Sequence, residues 1–247
     1  MSRSVFITGA SSGIGEYLAY AHARRGDHIG LFARRKDKLD KIAAACRQYG
    51  VTCAVFPGDV TMEDDVKQAL QSFHADRGQI DIVYANAGIG AVDPIWRGDS
   101  KEIVSLINVN VLGVIHTVYP TVPLMIKQQS GTIVVISSVA AFRGLPRHGS
   151  YSGSKAAVRA MVDGWRYDLT PNHIHIMTIH PGFIATPMVR NNSFLPFLMP
   201  VEKAADEILR AVDKKKKNYV FPWPWRLILP LLKSLPDIVV GWALYRR

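Results

Sequence analysis

Seven short apolar runs recur along the chain, "SVFITG", "HIGLFA", "TCAVFPG", "IDIVYAN", "GTIVVIS", "HIHIMTIH" and "NYVFP", each separated from the next by a longer stretch with helical spacing. Runs of this length suit strands. A parallel neighbour can be reached only by a crossover, and crossovers are right-handed, so strands alternating with helices imply a parallel sheet with helices on both sides. The expected fold is α/β, a three-layer Rossmann-type doubly wound parallel sheet of seven strands. A chain of 247 residues suits one such domain. No repeat or linker divides it, so residues 1–247 are expected to form a single domain.

Two stretches break the rhythm. "GFIATPMVRNNSFLPFLMP", residues 182–200, is too long and too rich in proline for a simple connection and is expected to form a substrate lid. The last stretch, "KKKKNYVFPWPWRLILPLLKSLPDIVVGWALYRR", combines four lysines with Trp, Pro and Leu, and residues 222–247 of it form an apolar, basic extension. The formal net charge is +10, and this stretch holds most of it. Its basic residues are interleaved with apolar bulk, which favours an anionic membrane surface over nucleic acid. Arg226, Pro230, Lys233, Pro236 and Asp237 interrupt its apolar runs, whereas a spanning helix needs about twenty consecutive apolar residues. Two readings stay open: Trp223, Trp225 and Trp242 lie at headgroup depth, or the same side chains bury against a second subunit.

Cys46 and Cys53 are too few for a disulfide framework and are expected to be reduced packing residues. The chain enters a strand at its fourth residue, which leaves no room for a signal peptide and points to the cytoplasm.

The chemistry gathers where strands end. The first strand runs into "TGASSGIGE", with Gly9, Gly13 and Gly15 opening a helix. Such glycines let backbone approach a pyrophosphate, and the unpaired N–H groups of the helix start attract it, although a tight βα turn alone would look similar. After the second strand come Ala33, Arg34 and Arg35. A carboxylate there would bind the 2′-hydroxyl of NAD, whereas arginine can fork onto the 2′-phosphate of NADP; the alternative is that the arginines begin a solvated helix. In "SYSGSKAAV", Tyr151 and Lys155 share one helical face. A nearby ammonium favours phenolate, which suits a phenol acting as acid or base, but this pair arises by chance in roughly half of chains of this length.

The ordered set "TGASSGIG", "GDV", "ANAG", "NVNVLG", "ISS", "YSGSK" and "HPGFIAT" resembles the short-chain dehydrogenase/reductase family from residue 4 to about residue 221. The resemblance implies strand order 3-2-1-4-5-6-7. It implies that Tyr151 is the general acid or base, that Lys155 holds the nicotinamide ribose and lowers the phenol pKa, and that Ser138 bonds the substrate oxygen. Asn110, rather than Asn108, helps hold a water that links the lysine to solvent. Gly9, Ser11, Ser12, Gly13, Ile14 and Gly15 line the pyrophosphate turn, Asp59 and Val60 the adenine edge, and Asn86, Ala87 and Gly88 the floor. Pro181, Gly182, Ile184 and Thr186 hold the carboxamide. Many NADP-using members carry Lys or Arg where this chain has Ser12, so discrimination rests on Arg34, helped by Arg35.

Candidate substrate residues besides Ser138 and Tyr151 are Ala140, Phe142, Leu145, Phe183 and Met188, with Val92, Trp96, Phe194, Leu195 and Phe197 around them. An apolar lining suits a hydrophobic secondary alcohol and its ketone, or an aldehyde and its alcohol. His148, three before Tyr151, reads as an exposed loop residue or as a substrate contact, and His173, His175 and His180 lack ligand partners, so no metal is expected. The expectation is an NADP(H)-dependent oxidoreductase, cytoplasmic and peripheral to a membrane. The resemblance also implies a homodimer or homotetramer built through the helices of Asn110 and Tyr151. A catalytically silent nucleotide-binding scaffold of the same fold is the alternative.

Overall fold

A computed structural model describes residues 2–189 and 195–236. Strands β1 (Ser4–Thr8), β2 (His28–Ala33), β3 (Cys53–Pro57), β4 (Ile82–Ala85), β5 (Gly131–Ile136) and β6 (Ile174–Pro181) alternate with helices. β7 (Ile184–Ala185) and β8 (Met199–Pro200) form a separate parallel pair. With β9 (Asn218–Phe221), the main sheet has seven parallel strands in the order β3-β2-β1-β4-β5-β6-β9, the doubly wound order with β9 as its seventh member.

Helices α1 (Gly13–Arg24) and α2 (Lys36–Arg47) cover one face of the sheet with α7 (Val201–Asp213). The other face carries α3 (Glu63–Arg77), α5 (Gly113–Gln128) and α6 (Gly149–Leu169), and α4 (Lys101–Ile107) leads into α5. The period of two along each strand divides the core. On β1, Val5 and Ile7 join the first layer and Phe6 the second; on β6, Met177 and Ile179 face one way and Ile174 and Ile176 the other. Between α4 and α5 the helix widens to a π turn, Asn108–Leu112, with Asn110 fully buried. The stretch Lys101–Gln128 is long and apolar enough to cross a membrane by length and composition, but here Val114, Val118 and Met125 bury one side of it in the second core.

Two regions that looked irregular in the sequence make strand contacts among the described residues. Both ends of the 182–200 segment are tied by the β7–β8 pair, and Met199 N–H donates to the Phe183 carbonyl at 3.0 Å. The basic tail is divided by β9. Lys214–Lys217 are exposed before that strand, and the apolar residues form α8 (Pro224–Ser234) after it, at the end where the parallel strands terminate. Residues 190–194, which include Phe194, and 237–247, which include Asp237 and Trp242, lie outside the described part.

Candidate active site

A cleft opens at the carboxyl ends of β1 and β4, where the chain switches direction across the sheet. Its first wall is the turn from β1 into α1. Gly9 has φ +67°, and a Cβ placed there would lie 2.6 Å from Ala87 Cα, so only glycine lets the two backbones meet. Gly15, in the first turn of α1, allows a similar approach, since a Cβ there would lie 2.5 Å from the Gly9 carbonyl oxygen and 2.6 Å from Asn86 Nδ2. Asn86 fastens the two strand ends by donating from Nδ2 to the Thr8 carbonyl at 2.9 Å. Ser12 makes no side-chain cap to α1, which leaves the first-turn N–H groups facing the cleft.

Arg34, Arg35, Asp59 and Val60 line the far end. Arg35 donates from Nη2 to Ser11 Oγ at 2.8 Å and to Ser12 Oγ at 2.9 Å, bracing the glycine turn from the side. Arg34 is 71% exposed and pairs with Asp59 at 3.5 Å. An exposed pair of this length binds weakly, so the guanidinium is available to a stronger anion.

The near end holds Ser138, Tyr151 and Lys155. Lys155 is buried on α6, and Nζ donates to the Ile136 carbonyl at the end of β5 at 3.0 Å. Burial pulls its pKa down to about 8. Nζ stands 5.9 Å from the Tyr151 ring centroid. Burial pushes the Tyr151 phenol above its ordinary value, and a hydrogen bond with Ser138 pulls part of the way back. Ser138 is itself fixed: Oγ accepts from Ala140 N–H at 3.1 Å, and its carbonyl meets His180 Nδ1 at 3.3 Å. Burial lowers the His180 pKa to about 4, so this imidazole is neutral at physiological pH.

Asn110 stands behind the floor. Oδ1 accepts from Ile89 N–H at 2.8 Å, while Nδ2 donates to the Ile89 carbonyl at 2.9 Å and to Ser154 Oγ at 3.1 Å. Gly88 has to be small, since a Cβ there would lie 3.2 Å from Asn110 Oδ1 and 3.3 Å from Lys155 Nζ.

Gly9, Ser11, Ser12, Gly13, Ile14, Asn86, Ala87, Gly88, Pro181, Gly182, Ile184 and Thr186 all line the same cleft, joined by Met188. Gly15 and Asn110 stand behind its wall. The other candidate substrate residues are spread more widely. Ala140 is buried beside Ser138, Phe142 packs on His180 at 4.8 Å, and Leu145 N–H donates to Ser152 Oγ at 3.3 Å. Val92 and Trp96 are exposed, with Arg147 over the Trp96 ring. Phe183 and Phe197 each meet Trp225 of α8 at 6.1 Å, and Leu195 is half-buried.

Three features escaped the sequence. Trp225, expected at headgroup depth or against a second subunit, instead packs within the chain against Phe183 and Phe197, and a Cβ on Gly182 would be 2.4 Å from its Nε1. Arg143 donates to the Leu232 and Leu235 carbonyls at the end of α8, at 2.9 and 2.8 Å. Asp93 reaches the start of α6. All three join segments far apart in the chain, and no local pattern marks them.

The match to known proteins covers most of the molecule. The family model described as short chain dehydrogenase matches residues 3–194. An uncharacterized oxidoreductase of Myxococcus xanthus is 32% identical over 236 residues, 95% of this chain and 93% of that one. The 11-beta-hydroxysteroid dehydrogenase-like 4A of Arabidopsis thaliana is 35% identical over 247 residues, 96% of this chain and 82% of its own. Among solved structures, an alcohol dehydrogenase from Thermococcus sibiricus complexed with 5-hydroxy-NADP superimposes with TM-score 0.81 at 28% identity, covering 90% of this chain and 96% of that one. An NAD+-bound xylitol dehydrogenase has the same TM-score, 0.81, at 25% identity, covering 90% and 97%, so the backbone alone does not select the cofactor.

Proposed function

The chain belongs to the short-chain dehydrogenase/reductase family, and on that premise we propose that it is an NADP-dependent oxidoreductase interconverting a hydrophobic secondary alcohol and its ketone. The observation that carries this reading is the polarity of one cleft: two arginines and two serine hydroxyls at one end, a phenol, a hydroxyl and a buried ammonium at the other. The donor set fits a phosphorylated dinucleotide, with the glycine turn at the pyrophosphate and Arg34 at the 2′-phosphate, where its exposed link to Asp59 is readily exchanged. The bound nicotinamide supplies hydride in reduction and accepts it in oxidation.

The chain's own residues manage the proton. Ser138 Oγ and Tyr151 Oη receive the substrate oxygen between them. Tyr151 Oη donates its proton as negative charge grows on that oxygen and takes it back in oxidation. The adjacent Lys155 ammonium stabilises the phenolate left behind and bonds the nicotinamide ribose. Asn110 has committed both amide donors and one Oδ1 lone pair to Ile89 and Ser154, which leaves one lone pair for the water that links Lys155 to solvent.

The lining supports an apolar substrate: Ile89, Pro187, Met188 and Val189 are part of the cleft wall. The hydroxysteroid dehydrogenase-like name of the Arabidopsis relative points to the same class. Comparing turnover of a steroid-like or long-chain ketone with that of a small polar ketone, each with NADPH and NADH, tests the proposal. Preference for the polar ketone, or for NADH, would contradict it.

The same reading includes a homodimer or homotetramer, cytoplasmic and peripheral to a membrane. Val104, Ile107, Leu112 and Tyr119 on the α4–α5 side and Tyr167 on α6 are exposed apolar residues of the kind a subunit interface covers. Trp223, Leu227 and Leu231 form a second exposed row on α8, suited to a lipid surface. Trp223→Ser, Leu227→Ser and Leu231→Ser together, which leave β9 in place, are expected to abolish flotation with anionic liposomes and leave the oligomer intact. Loss of the oligomer instead would assign α8 to the subunit interface.

A further inference from the structure

Asp93 lies between β4 and α4, on the segment that continues from the cleft floor, yet its carboxylate serves α6. Oδ1 accepts from Gly149 N–H at 2.9 Å and Oδ2 from Ser150 N–H at 2.5 Å, the two residues before Tyr151. Its own N–H donates to the Arg147 carbonyl at 2.7 Å. Burial opposes its ionisation, but the bonds from the Ser150 side chain and from the backbone of Ser150 and Gly149 outweigh this and hold the carboxyl below its usual range.

The first N–H groups of a helix have no intrahelical partner, and the N-cap side chain commonly supplies one. Here the N-cap is His148, whose side chain makes no such bond, and Arg147 before it adopts φ +60°. The cap is therefore supplied by a residue 56 positions away. A carboxylate there also favours the positive end of the helix dipole. The same segment begins at Gly88 and Ile89, and Asn110 grips Ile89 from below. The segment thus joins the floor of the cleft to the first turn of the helix that carries Tyr151 and Lys155.

We infer that Asp93 is a positioning residue: by capping α6 it holds Tyr151 at the place where the phenol meets Ser138. The kinetic part rests on the oxidoreductase reading above, and the structural part does not. The ionised carboxylate gives Gly149 and Ser150 one oxygen each, so Asp93→Asn, with a single acceptor oxygen, keeps half of the cap, and Asp93→Ala removes it.

Two measurements on the full chain test this. In protein labelled with 3-fluorotyrosine, the Tyr151 19F resonance is identified by its loss in Tyr151→Phe. Asp93→Ala should shift or broaden it, Asp93→Asn should do so less, and the other tyrosine resonances should hold their places. In turnover, Asp93→Ala should lower kcat by about ten- to a hundredfold with Kd for NADPH within about twofold, and Asp93→Asn should fall between it and the parent. Should Asp93→Ala fail to fold, Asp93→Asn alone decides on the same two readouts. An unmoved Tyr151 resonance, or a lowered melting temperature with unchanged kcat, overturns the inference. If the parent reduces no carbonyl, the oxidoreductase reading fails and the resonance alone decides whether Asp93 positions Tyr151.

Discussion

Lys155 Nζ donates to the Ile136 carbonyl at 3.0 Å, so the ammonium beside the phenol is held by the end of the neighbouring strand. That bond fixes the head of a long flexible side chain within the buried layer between α6 and the sheet. It does not fully offset the loss of hydration, and the pKa falls to about 8 from the ordinary lysine value.

A pH dependence of stability follows. Below pH 8 both folded and unfolded chains carry the proton, and the fold bears the cost of a buried charge. Between pH 8 and the unfolded value the folded chain has lost the proton while the unfolded chain keeps it, so stability rises with pH. Lys155→Met removes this gain. Its unfolding free energy relative to the parent should therefore fall by about 2 kcal/mol between pH 8 and pH 9.5. Denaturant titration at both pH values checks it, and a pH-independent difference would show that Lys155 ionises as it does in water.

The two arginines have different partners and should fail differently. Arg34 is largely in solvent with a weak link to Asp59, whereas Arg35 braces Ser11 and Ser12 of the glycine turn. Arg34→Ala should weaken NADPH binding by roughly ten- to a hundredfold and leave NADH nearly unchanged. Arg35→Ala should weaken both cofactors, because the turn that meets the pyrophosphate loses its brace. Fluorescence titration with each nucleotide separates the cases, and equal losses for both nucleotides on Arg34→Ala would remove the basis for NADP preference.

Trp225 and Gly182 provide a packing test of the α8 position. Alanine at Gly182 would place its Cβ 2.4 Å from Trp225 Nε1, so the indole or the helix that carries it must shift. Gly182→Ala should cost roughly 1–3 kcal/mol, and most of that cost should vanish when Trp225→Ala is already present. Additive costs in this double-mutant cycle would mean that the indole does not sit against Gly182.

Long apolar runs and fixed-spacing motifs made the sheet and most of the cleft legible in the sequence. β1 and β4 are apolar enough to suit burial on both faces, and the order of the seven strands follows from the family resemblance. Gly9 and Gly15 are recognisable because a backbone approach demands glycine at fixed spacing. Asp93, Arg143 and the inward packing of Trp225 were illegible for the opposite reason. Each acts on a segment distant in sequence, and an isolated Asp, Arg or Trp in a loop or tail carries no periodic signal. The tail shows the same limit. Its composition separates it from the globular part, whereas β9 divides it, leaving the lysines before the strand and α8 built against the wall of the site.

The proposed function has Tyr151 moving the proton in a cleft that takes NADP. Measuring NADPH affinity and ketone turnover together in Tyr151→Phe tests it most directly. The account predicts a Kd within about twofold of the parent, because the glycine turn and the arginines are untouched, and a kcat lower by about 10²- to 10⁴-fold. Turnover retained within tenfold would contradict the assignment of the proton to this phenol.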